Sequence, residues 1–447
     1  MAAEEPPEPP EPQRRKQAAI DRLTQAYRQR LERELDLSEA TLDQIEEQAE
    51  KIGKATQQEV RDEIADASGT GHCGSRRPCV CGATARFVGL RRRRIVTTSG
   101  TLSVARACYH CRSCRTVFAP LDARLGLLPQ SCSRRMMAIA VRFCSYLPFE
   151  LAARELEYLC GTRFAASTLA RYCRHTGTNL KADWGEKERL LWAREMPPPS
   201  QSPPSHRPRQ LQGSMDGAII FVDGEWREAK LGVVYEPKAE RIERARYYAT
   251  LENSAAFGRK MRTLAVRGGA DRCHRIGMVA DGGAWIWQEV GKYFPQSVQV
   301  LDYYHATQHL YHATQHLWEA AHAQFGEGTE AAKAWMRRQK EALLGDRVAE
   351  AIREVAQWRP RPLLQQDLQR KLLAYLRTHV GRMRYATFRQ AGWHIGSGVV
   401  ESGCKCVIKG RMGGAGMRWS GAGAEAMLHL CAHWRSYDGG DFLPYIN

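Results

Sequence analysis

The feature that most constrains the fold of this 447-residue chain is a proline-rich stretch at positions 196–209, MPPPSQSPPSHRPR. Six of its fourteen residues are proline, which lacks the backbone N–H group that helix interiors and sheet ladders use. A segment of this composition acts as a stiff spacer and does not enter a packed core. We therefore predict a linker at 196–212, with separately organised regions before and after it.

The balance of charge indicates a polyanionic partner. Lysine and arginine total 66 residues against 49 acidic ones, which gives a formal net charge of +17. The basic residues are clustered, and nucleic acid is the commonest partner of basic clusters. One cluster is the run Arg91, Arg92, Arg93 and Arg94, and the other comprises Lys405, Lys409, Arg411 and Arg418.

The sequence gives no indication of a membrane or export signal. No apolar run approaches the ~20 residues that span a bilayer, and the acidic, proline-rich start MAAEEPPEPPEP is unlike a signal peptide. We therefore predict a cytoplasmic protein with no membrane partner. Thiols stay reduced in that compartment, so its 14 cysteines are expected to bind metal or to pack in the core.

Two cysteine groups flank short β-rich segments in the predicted module 69–128. Two knuckles separated by a β-hairpin are the plan of a zinc ribbon, in which four thiolates hold one Zn²⁺. The first knuckle is one residue shorter than usual, so Cys73 or Cys108 could replace a ligand, and unrelated buried thiols are the alternative. The Arg91–Arg94 run lies on the predicted hairpin and is placed to contact phosphates. The predicted zinc ligands are Cys79, Cys81, Cys111 and Cys114.

The rest of the first half is predicted to be helical. Residues 1–15 are expected to be disordered, and 16–68 contain apolar residues at the spacing of two amphipathic helices. Region 129–195 has three helical segments, the last of which reads AASTLARYCRHTG. The short turn at Gly161 fits a helix-turn-helix, although generic three-helix packing explains the pattern equally well. The residues predicted to face DNA are Ser167, Thr168, Arg171, Arg174 and His175.

After the linker, the pattern is three strands, a helix, a strand, a helix and a strand, which predicts a mixed sheet in an α/β domain at 213–447. Asp216 lies in the first of these strands, and Asp281 ends the fourth. Glu401, on a predicted helix flanked by basic residues, is the proposed third carboxylate. Three such carboxylates can hold two Mg²⁺ or Mn²⁺ ions, one to activate a water or a 3′-hydroxyl and one to stabilise the leaving oxygen.

Several stretches of the second half closely resemble bacterial insertion-sequence transposases of the ISKra type, which belong to the DDE superfamily. They are MDGAII, WREAKLGVVY, ADGGAWIW, LDYYHATQHL and HIGSGVVESGCKCVIKGRMGGAGMRWSGAGAEAML. The resemblance extends upstream to CGATARFVGL and LPFELAARELEYLCGTRFAASTL. It implies an RNase H-like catalytic domain with the triad Asp216, Asp281 and Glu401. It also implies Mg²⁺-dependent cleavage at element ends, followed by attack of the freed 3′-hydroxyl on target DNA.

Asp281 and Glu401 are 120 positions apart (401 − 281), which is too far for one helical crossover. We therefore predict a mostly helical insertion at about 303–394, as Mutator-like transposases have. Those proteins often open the insertion with an Asp or Cys, two residues and a His, and Asp302 with His305 is similar. Asp302 also ends the fifth predicted strand, so it is the main rival for a place in the triad.

The heptad YHATQHL occurs twice in succession, at 304–310 and 311–317. Its four histidines, at i, i+4, i+7 and i+11, would form one stripe of a helix. A histidine zinc site is one interpretation, and the zinc metalloprotease motif is excluded because HATQH lacks the glutamate. We prefer a tolerated in-frame duplication, because seven residues advance a helix by almost two whole turns. The duplication puts the activity of this copy in doubt.

The glycine-rich stretch KGRMGGAGMRW follows Glu401. Its amides, with Arg411 and Arg418, could cradle phosphate, and Trp419 could stack on an unpaired base or belong to the core. Lys405 lies four residues after Glu401, which suits either a contact to substrate phosphate or an i,i+4 ion pair.

Together these features predict a multidomain α+β protein that is a DDE transposase of a bacterial insertion sequence. It would bind double-stranded DNA, both the terminal inverted repeats of its element and the target. The family also implies a homodimer or higher oligomer on DNA, located at the nucleoid. The alternatives are an inactive or domesticated copy that only binds DNA, and an RNase H-like nuclease that cuts without joining.

Overall fold

The computed structural model describes residues 11–127, 129–193, 207–239, 241–304 and 314–446. They form a mixed α+β structure with two β-sheets, which confirms the predicted mixed class. The chain divides into two compact units, described separately below. The first comprises 1–140, 150–166 and 446–447, and the second comprises 141–149 and 167–445. No helix in the described ranges is both long enough and apolar enough to cross a membrane.

Two helices begin the first unit: α1, Glu11–Glu34, and α2, Leu42–Ala67. Residues 11–15 are therefore helical, and the prediction that they are disordered is wrong. The proline at position 12 is compatible with this, because the first turn of a helix does not use its backbone N–H groups. Thr41 begins α2 with a capping box, in which its side chain and that of Gln44 each bond the other's backbone N–H.

The sheet of the first unit has four antiparallel strands in the order β1-β2-β3-β4. β2 and β3 form the long hairpin expected between the two cysteine groups. Its inner face buries Ala85, Ala107 and Tyr109 completely, which gives the hairpin a small core. The bounds are β1 Arg76–Pro78, β2 Thr84–Thr97, β3 Gly100–Cys111 and β4 Val117–Phe118, followed by the short helix α3 Pro120–Arg124.

Three helices occupy the region predicted as a helix-turn-helix. They are α4 Arg134–Cys144, α5 Phe149–Cys160 and α6 Ala166–Ala193. Gly161 ends α5 with a positive φ of 62°, which glycine adopts at little cost. The difference from the prediction is the length of α6, whose 28 residues continue well past Gly177.

Gly177 lies inside α6 because of packing within the second unit. A Cβ atom at Gly177 would lie 2.5 Å from the carbonyl oxygen of Ala426, so only glycine allows this close approach. Further along α6, the Trp184 ring packs on Tyr248 with centroids 4.8 Å apart. Most of α6 therefore belongs to the second unit, and the proline-rich segment does not mark the boundary between compact units. Residues 196–206 of that segment lie outside the described ranges.

The second sheet has five strands in the order β7-β6-β5-β8-β9. β5, β6 and β7 form an antiparallel meander, and β8 and β9 run parallel to β5. Strands and helices follow one another in the order predicted. The bounds are β5 Gln210–Val222, β6 Glu225–Pro237, β7 Ile242–Thr250, α7 Ser254–Arg267, β8 Arg275–Ala280, α8 Ala284–Tyr293 and β9 Val298–Leu301.

Between β9 and Gly398, the described residues contain helices and no strand. This is the region for which we predicted a helical insertion. The α-helices are α9 Thr314–Phe325, α10 Glu330–Leu344, α11 Val348–Gln357, α12 Leu363–His379 and α13 Tyr385–Gln390. A single 3₁₀ turn, Val380–Arg382, follows α12.

A continuous helical stretch at 398–412 carries Glu401. It consists of α14 Gly398–Gly403, a π-helical segment Cys404–Lys409 and the turn α15 Gly410–Met412. Segments of π-helix are rare and often occur at functional sites. The last long helix, α16, is Gly421–Arg435, and a 3₁₀ turn at Leu443–Tyr445 follows it.

Candidate active site and candidate metal centre

Three aspartates lie in one row across neighbouring parallel strands of the second sheet. β5 pairs with β8 at a constant offset of 65 positions (278 − 213), and β8 pairs with β9 at an offset of 21 positions (301 − 280). The same offsets put Asp216 level with Asp281, and Asp281 level with Asp302. Because side chains alternate between faces along a strand, residues in one row point the same way. Continued three residues past the last β5–β8 pair and one residue past the last β8–β9 pair, this register puts the three aspartates in one row.

Asp216 experiences the charges of the other two predicted catalytic residues. Burial raises the pKa of Asp216 to about 6, and the negative charges of Asp281 and Glu401 act in the same direction. The Gly217 N–H, 2.7 Å from Asp216 Oδ1, and the Cys404 thiol act in the opposite direction. The structure thus brings together carboxylates from β5, the end of β8 and the helical stretch 398–412, as the sequence pattern predicted.

Asp281 is held by the turn that follows it. Its Oδ1 accepts a hydrogen bond of 2.9 Å from the Gly283 N–H, and its backbone oxygen accepts one of 2.7 Å from the Trp287 indole. Tyr375 reaches the same place from α12. Burial raises the pKa of the Tyr375 phenol, and the charges of Asp281 and Asp302 add to that effect. Sequence reasoning missed Tyr375, because no motif connects it to the carboxylates.

Asp302 and Glu401 are connected through Ser397. Asp302 accepts hydrogen bonds from the Tyr304 N–H at 2.7 Å and the Ser397 N–H at 3.0 Å, and also from the Ser397 hydroxyl. The same hydroxyl lies 2.9 Å from Glu401 Oε1. Ser397 was also missed from sequence, although its spacing of four residues before Glu401 on a helix start is a signal that could have identified it.

The chemistry of the three carboxylates suits a hard divalent cation, because carboxylate oxygens are the ligands that Mg²⁺ and Mn²⁺ prefer. Their spacing is wider than that of a closed metal site. Within the described part of the chain, the only group of three or more potential metal ligands whose atoms all lie within 4.8 Å of one another is a cysteine cluster. The binding of Mg²⁺ by Asp216, Asp281 and Glu401 thus stays a prediction.

That cluster consists of the four cysteines predicted as zinc ligands: Cys79, Cys81, Cys111 and Cys114. The Sγ atoms of Cys79 and Cys114 are 3.6 Å apart, as are those of Cys81 and Cys111. Tetrahedral coordination at a Zn–S distance of about 2.3 Å requires thiolates roughly 3.8 Å apart. The group could therefore hold a metal such as zinc, which confirms that the four predicted cysteines lie together; the binding of zinc stays a prediction.

The local backbone explains how a knuckle with only one residue between its cysteines still fits. Gly82 follows Cys81 with a positive φ of 85°, and its N–H donates to the Cys79 oxygen at 2.9 Å. In the second knuckle, the Thr116 hydroxyl, 3.3 Å from Cys114 Sγ, acts with the Thr116 backbone and the Cys79 and Cys111 thiols to lower the pKa of Cys114 to about 6, whereas the pKa of Cys79 in the same cluster is raised to about 12. A thiol with a lowered pKa is readily converted to the thiolate that binds metal.

The two alternative ligands lie outside this cluster. The exposed Cys73 donates to the Gly71 oxygen, and the buried Cys108 donates to the Arg106 oxygen. The four predicted zinc ligands therefore stay as assigned, without Cys73 or Cys108.

The arginine run lies on β2, where it is only partly free for a ligand. Arg91, Arg92 and Arg94 are exposed. Arg93 instead contacts Asp122 at 3.4 Å and donates to the Gln130 oxygen at 2.9 Å. Three of the four predicted phosphate contacts are therefore available, and the fourth stabilises the first unit.

The predicted DNA-facing residues at the start of α6 share one surface. Ser167, Arg171 and Arg174 are exposed, and Thr168 and His175 are half-buried. The Arg171 guanidinium lies 3.5 Å from the Thr168 hydroxyl. The spacing of three and four residues explains the common face, and a role in DNA binding stays a prediction.

The basic cluster near the C-terminus requires a correction. Arg411 is only 3% exposed; its Nε donates to the Cys144 oxygen at 2.6 Å, and its guanidinium lies over the Phe149 and Trp419 rings. Arg411 therefore cannot contact DNA in this structure, and its charge is used inside the second unit. The Trp419 indole donates to the Met412 oxygen, so this ring too has a structural role.

The other basic residues of this cluster, Lys405, Lys409 and Arg418, are exposed. Lys409 donates to the Ile219 oxygen, so it also fastens the helical stretch to β5. His305 and the first copy of the duplicated heptad after Tyr304 lie outside the described residues, as does the start of the second copy.

Comparison with known proteins adds no assignment. No protein family matches the chain, and no curated protein is similar to it. Function must therefore be inferred from the side chains and their arrangement.

Proposed function

We propose that the protein is a DDE-type transposase of the kind encoded by bacterial ISKra-type insertion sequences. It would cut DNA at the ends of its element and join them to target DNA. The observation that carries this proposal is the approach of Asp281 and Glu401 to Asp216, whose pKa is raised first by burial and then by those two charges. An antiparallel meander beside two parallel strands is also the strand order expected of an RNase H-like domain.

The three carboxylates would hold Mg²⁺ or Mn²⁺, and such ions would activate the attacking oxygen and stabilise the leaving oxygen of the phosphate. The part played by the chain itself is to orient and concentrate negative charge. The Gly217 and Gly283 N–H groups fix one oxygen each of Asp216 and Asp281. The pKa of Asp216 is raised mainly by burial and further by the charges of Asp281 and Glu401, and a cation would offset both effects.

A basic cleft that adjoins the start of the Glu401 helix, and that none of Asp216, Asp281 and Glu401 lines, suits a nucleic-acid substrate. It has a volume of about 1420 Å³ and includes Gly398 and Val399, at the start of the helical stretch that carries Glu401. The half-exposed Tyr304 also lines it, and a ring in this position can stack on a base. A positively charged groove suits a DNA backbone. The basic side chains among its described lining residues are Arg209, Lys238, Arg241, Arg275 and Arg389.

The first half of the chain would recognise the terminal inverted repeats. The four-cysteine site, with zinc bound, would fix the hairpin that displays Arg91, Arg92 and Arg94. The exposed face at the start of α6 would add Arg171 and Arg174. Phosphate contacts of this kind position a protein on DNA without reading its sequence. The working form would be a homodimer or larger assembly at the bacterial nucleoid.

The second candidate is an inactive copy that binds DNA and does not cut. Two observations favour it: the duplicated heptad, whose first copy begins two residues after Asp302, and the wide spacing of the three carboxylates. Both functions predict DNA binding, so only Mg²⁺-dependent chemistry separates them.

The test uses a labelled DNA fragment carrying the element's own end, together with a supercoiled target plasmid and Mg²⁺ or Mn²⁺. We expect cleaved and joined products with the natural protein and neither product with Asp281→Asn. Cleavage without joining would indicate the nuclease alternative. Binding without cleavage, at any concentration of either ion, would contradict the transposase and support the inactive copy.

A further inference from the structure

The most constrained polar group near the carboxylate row is Ser397. It is only 4% exposed, and Asp302 is 1% exposed. Ser397 lies one residue before α14, and its backbone oxygen accepts the N–H of Val400 at 2.9 Å and that of Glu401 at 3.2 Å. The residue therefore connects Asp302, at the end of β9, to the first turn of the helix that carries Glu401.

Ser397 holds the two acidic side chains with two different donors. Its N–H donates to Asp302 Oδ2 at 3.0 Å, and its hydroxyl lies within hydrogen-bond distance of both Asp302 and Glu401. The hydroxyl carries one proton, so it donates to one carboxylate at a time. Donation to Glu401 leaves Asp302 bonded through the backbone N–H. Within the described ranges, no other side-chain hydrogen bond of Glu401 is found.

Asp302 differs from the other two aspartates of the row in its bonding. One of its oxygens accepts the Tyr304 N–H and the other accepts both donors of Ser397. Asp302 is also almost fully buried, whereas Asp216 and Asp281 are half-buried, so Asp302 is the least accessible of the three to a cation. Carboxylates that ligate metals are themselves oriented by such outer hydrogen bonds, and loss of one typically costs 10–100-fold in metal affinity or activity.

We infer that Ser397 and Asp302 are positioning residues that orient Glu401 toward Asp216 and Asp281, with Asp302 outside the ligand set. The functional consequence of this inference, a correctly placed third carboxylate, rests on the proposed function. The bond network on which it depends is a property of the metal-free protein. It accounts for the side-by-side position of Asp302 and the predicted triad without assigning four carboxylates to one site.

The test compares Ser397→Ala, Ser397→Thr and Asp302→Asn with the natural protein, using Asp281→Asn as the ligand-removal reference. The first readout is hydrogen–deuterium exchange of the peptide covering 396–404 without metal. The second is Mn²⁺ binding followed by electron paramagnetic resonance. We expect faster exchange and about tenfold weaker Mn²⁺ binding in Ser397→Ala. Ser397→Thr should stay within about twofold of the natural protein, because it keeps the hydroxyl.

Unchanged exchange together with unchanged Mn²⁺ affinity in Ser397→Ala would overturn the inference. Loss of Mn²⁺ binding in Asp302→Asn as complete as in Asp281→Asn would show that Asp302 is a ligand and overturn its positioning role. If the natural protein binds no Mn²⁺ and cuts no DNA, the proposed function fails. The exchange comparison still decides whether Ser397 and Asp302 hold the helix start. A thermal unfolding scan of each variant identifies any that has lost its fold.

Discussion

At the scale of single residues, a buried charge has a larger effect on stability than an exposed one, because water screens it less. Asp216 is raised in pKa by burial and by two nearby carboxylates, so its ionised form destabilises the metal-free fold. Sequence could suggest Asp216 as a site residue, since it lies on a predicted strand. The sequence predicted that Glu401 would lie near Asp216, but it could not predict the raised pKa, which depends on burial and on packing between segments 185 positions apart (401 − 216).

Asp216→Asn should therefore stabilise the metal-free protein at neutral and alkaline pH. The folded-state pKa of about 6 lies above the ordinary value of 3.8, so the natural protein loses stability as pH rises from about 4 to about 6. The asparagine variant should be more stable by up to about 3 kcal/mol above that range, at about 1.4 kcal/mol per pKa unit. The gain should vanish below pH 4. Urea unfolding at pH 4 and pH 8 measures it, and an equal effect at both would contradict the coupling.

Arg411 shows the limit of predicting DNA contacts from a basic cluster, because Lys405, Lys409 and Arg418 of the same cluster are exposed and Arg411 is buried. Arg411→Ala should lower the free energy of unfolding by about 3 kcal/mol, because it leaves a cavity and removes cation–π contacts. Arg418→Ala, on the exposed side of the same cluster, should change it by less than about 0.5 kcal/mol and weaken DNA binding instead. Denaturant titration and DNA-binding anisotropy separate the two roles. Equal stability of both variants would contradict the burial of Arg411.

At the scale of elements, local patterns predicted strands and helices well, and failed where tertiary packing overrode a local signal. The hairpin β2–β3 and the succession of strands and helices from β5 to β9 were predicted from short β-rich and helical segments in the sequence. The end of α6 was predicted wrongly. Gly177 has the pattern of a helix stop, but it lies inside the helix because the backbone of Ala426 leaves room only for glycine. The π-helical segment after Glu401 has no signal in the sequence that we recognise.

Gly177→Ala should destabilise the second unit although alanine favours helices by about 1 kcal/mol over glycine. The added methyl group would meet the Ala426 oxygen at 2.5 Å, and such overpacking typically costs about 1–3 kcal/mol. Gly185→Ala is the matched control, because it lies in the same helix and a Cβ there meets nothing within 4 Å. Thermal unfolding should show a lower Tm for the first variant and an equal or higher Tm for the second. A stabilising Gly177→Ala would refute the close helix contact.

We predict that the four-cysteine cluster makes the hairpin of the first unit dependent on metal. We expect one Zn²⁺ per chain by elemental analysis of the purified protein, and loss of that zinc in Cys114→Ser. Cys73→Ser should keep full zinc content, because the exposed Cys73 lies outside the cluster. Chelation should also lower the Tm of the first unit, since metal binding contributes to folding free energy. Retention of zinc by Cys114→Ser would contradict the assignment.

At the scale of the whole molecule, the two compact units do not coincide with the halves separated by the proline-rich segment. A linker could be predicted from composition, but membership of a compact unit depends on contacts far apart in sequence. Most of α6 joins the second unit through Trp184 and Gly177. The predicted modules therefore follow the order of segments in the sequence, whereas the compact units reflect which segments pack together.

The central claim is that Asp216, Asp281 and Glu401 act as one site on DNA. It is tested most directly by the rate of Mg²⁺-dependent cleavage of one labelled element end by Asp216→Asn, Asp281→Asn and Glu401→Gln. Asp367→Asn is the control, since Asp367 is an acidic residue of α12 paired with Arg370 and Lys371. We predict loss of cleavage in all three variants and a normal rate in the control. Cleavage at the natural rate by any of the three would contradict the claim.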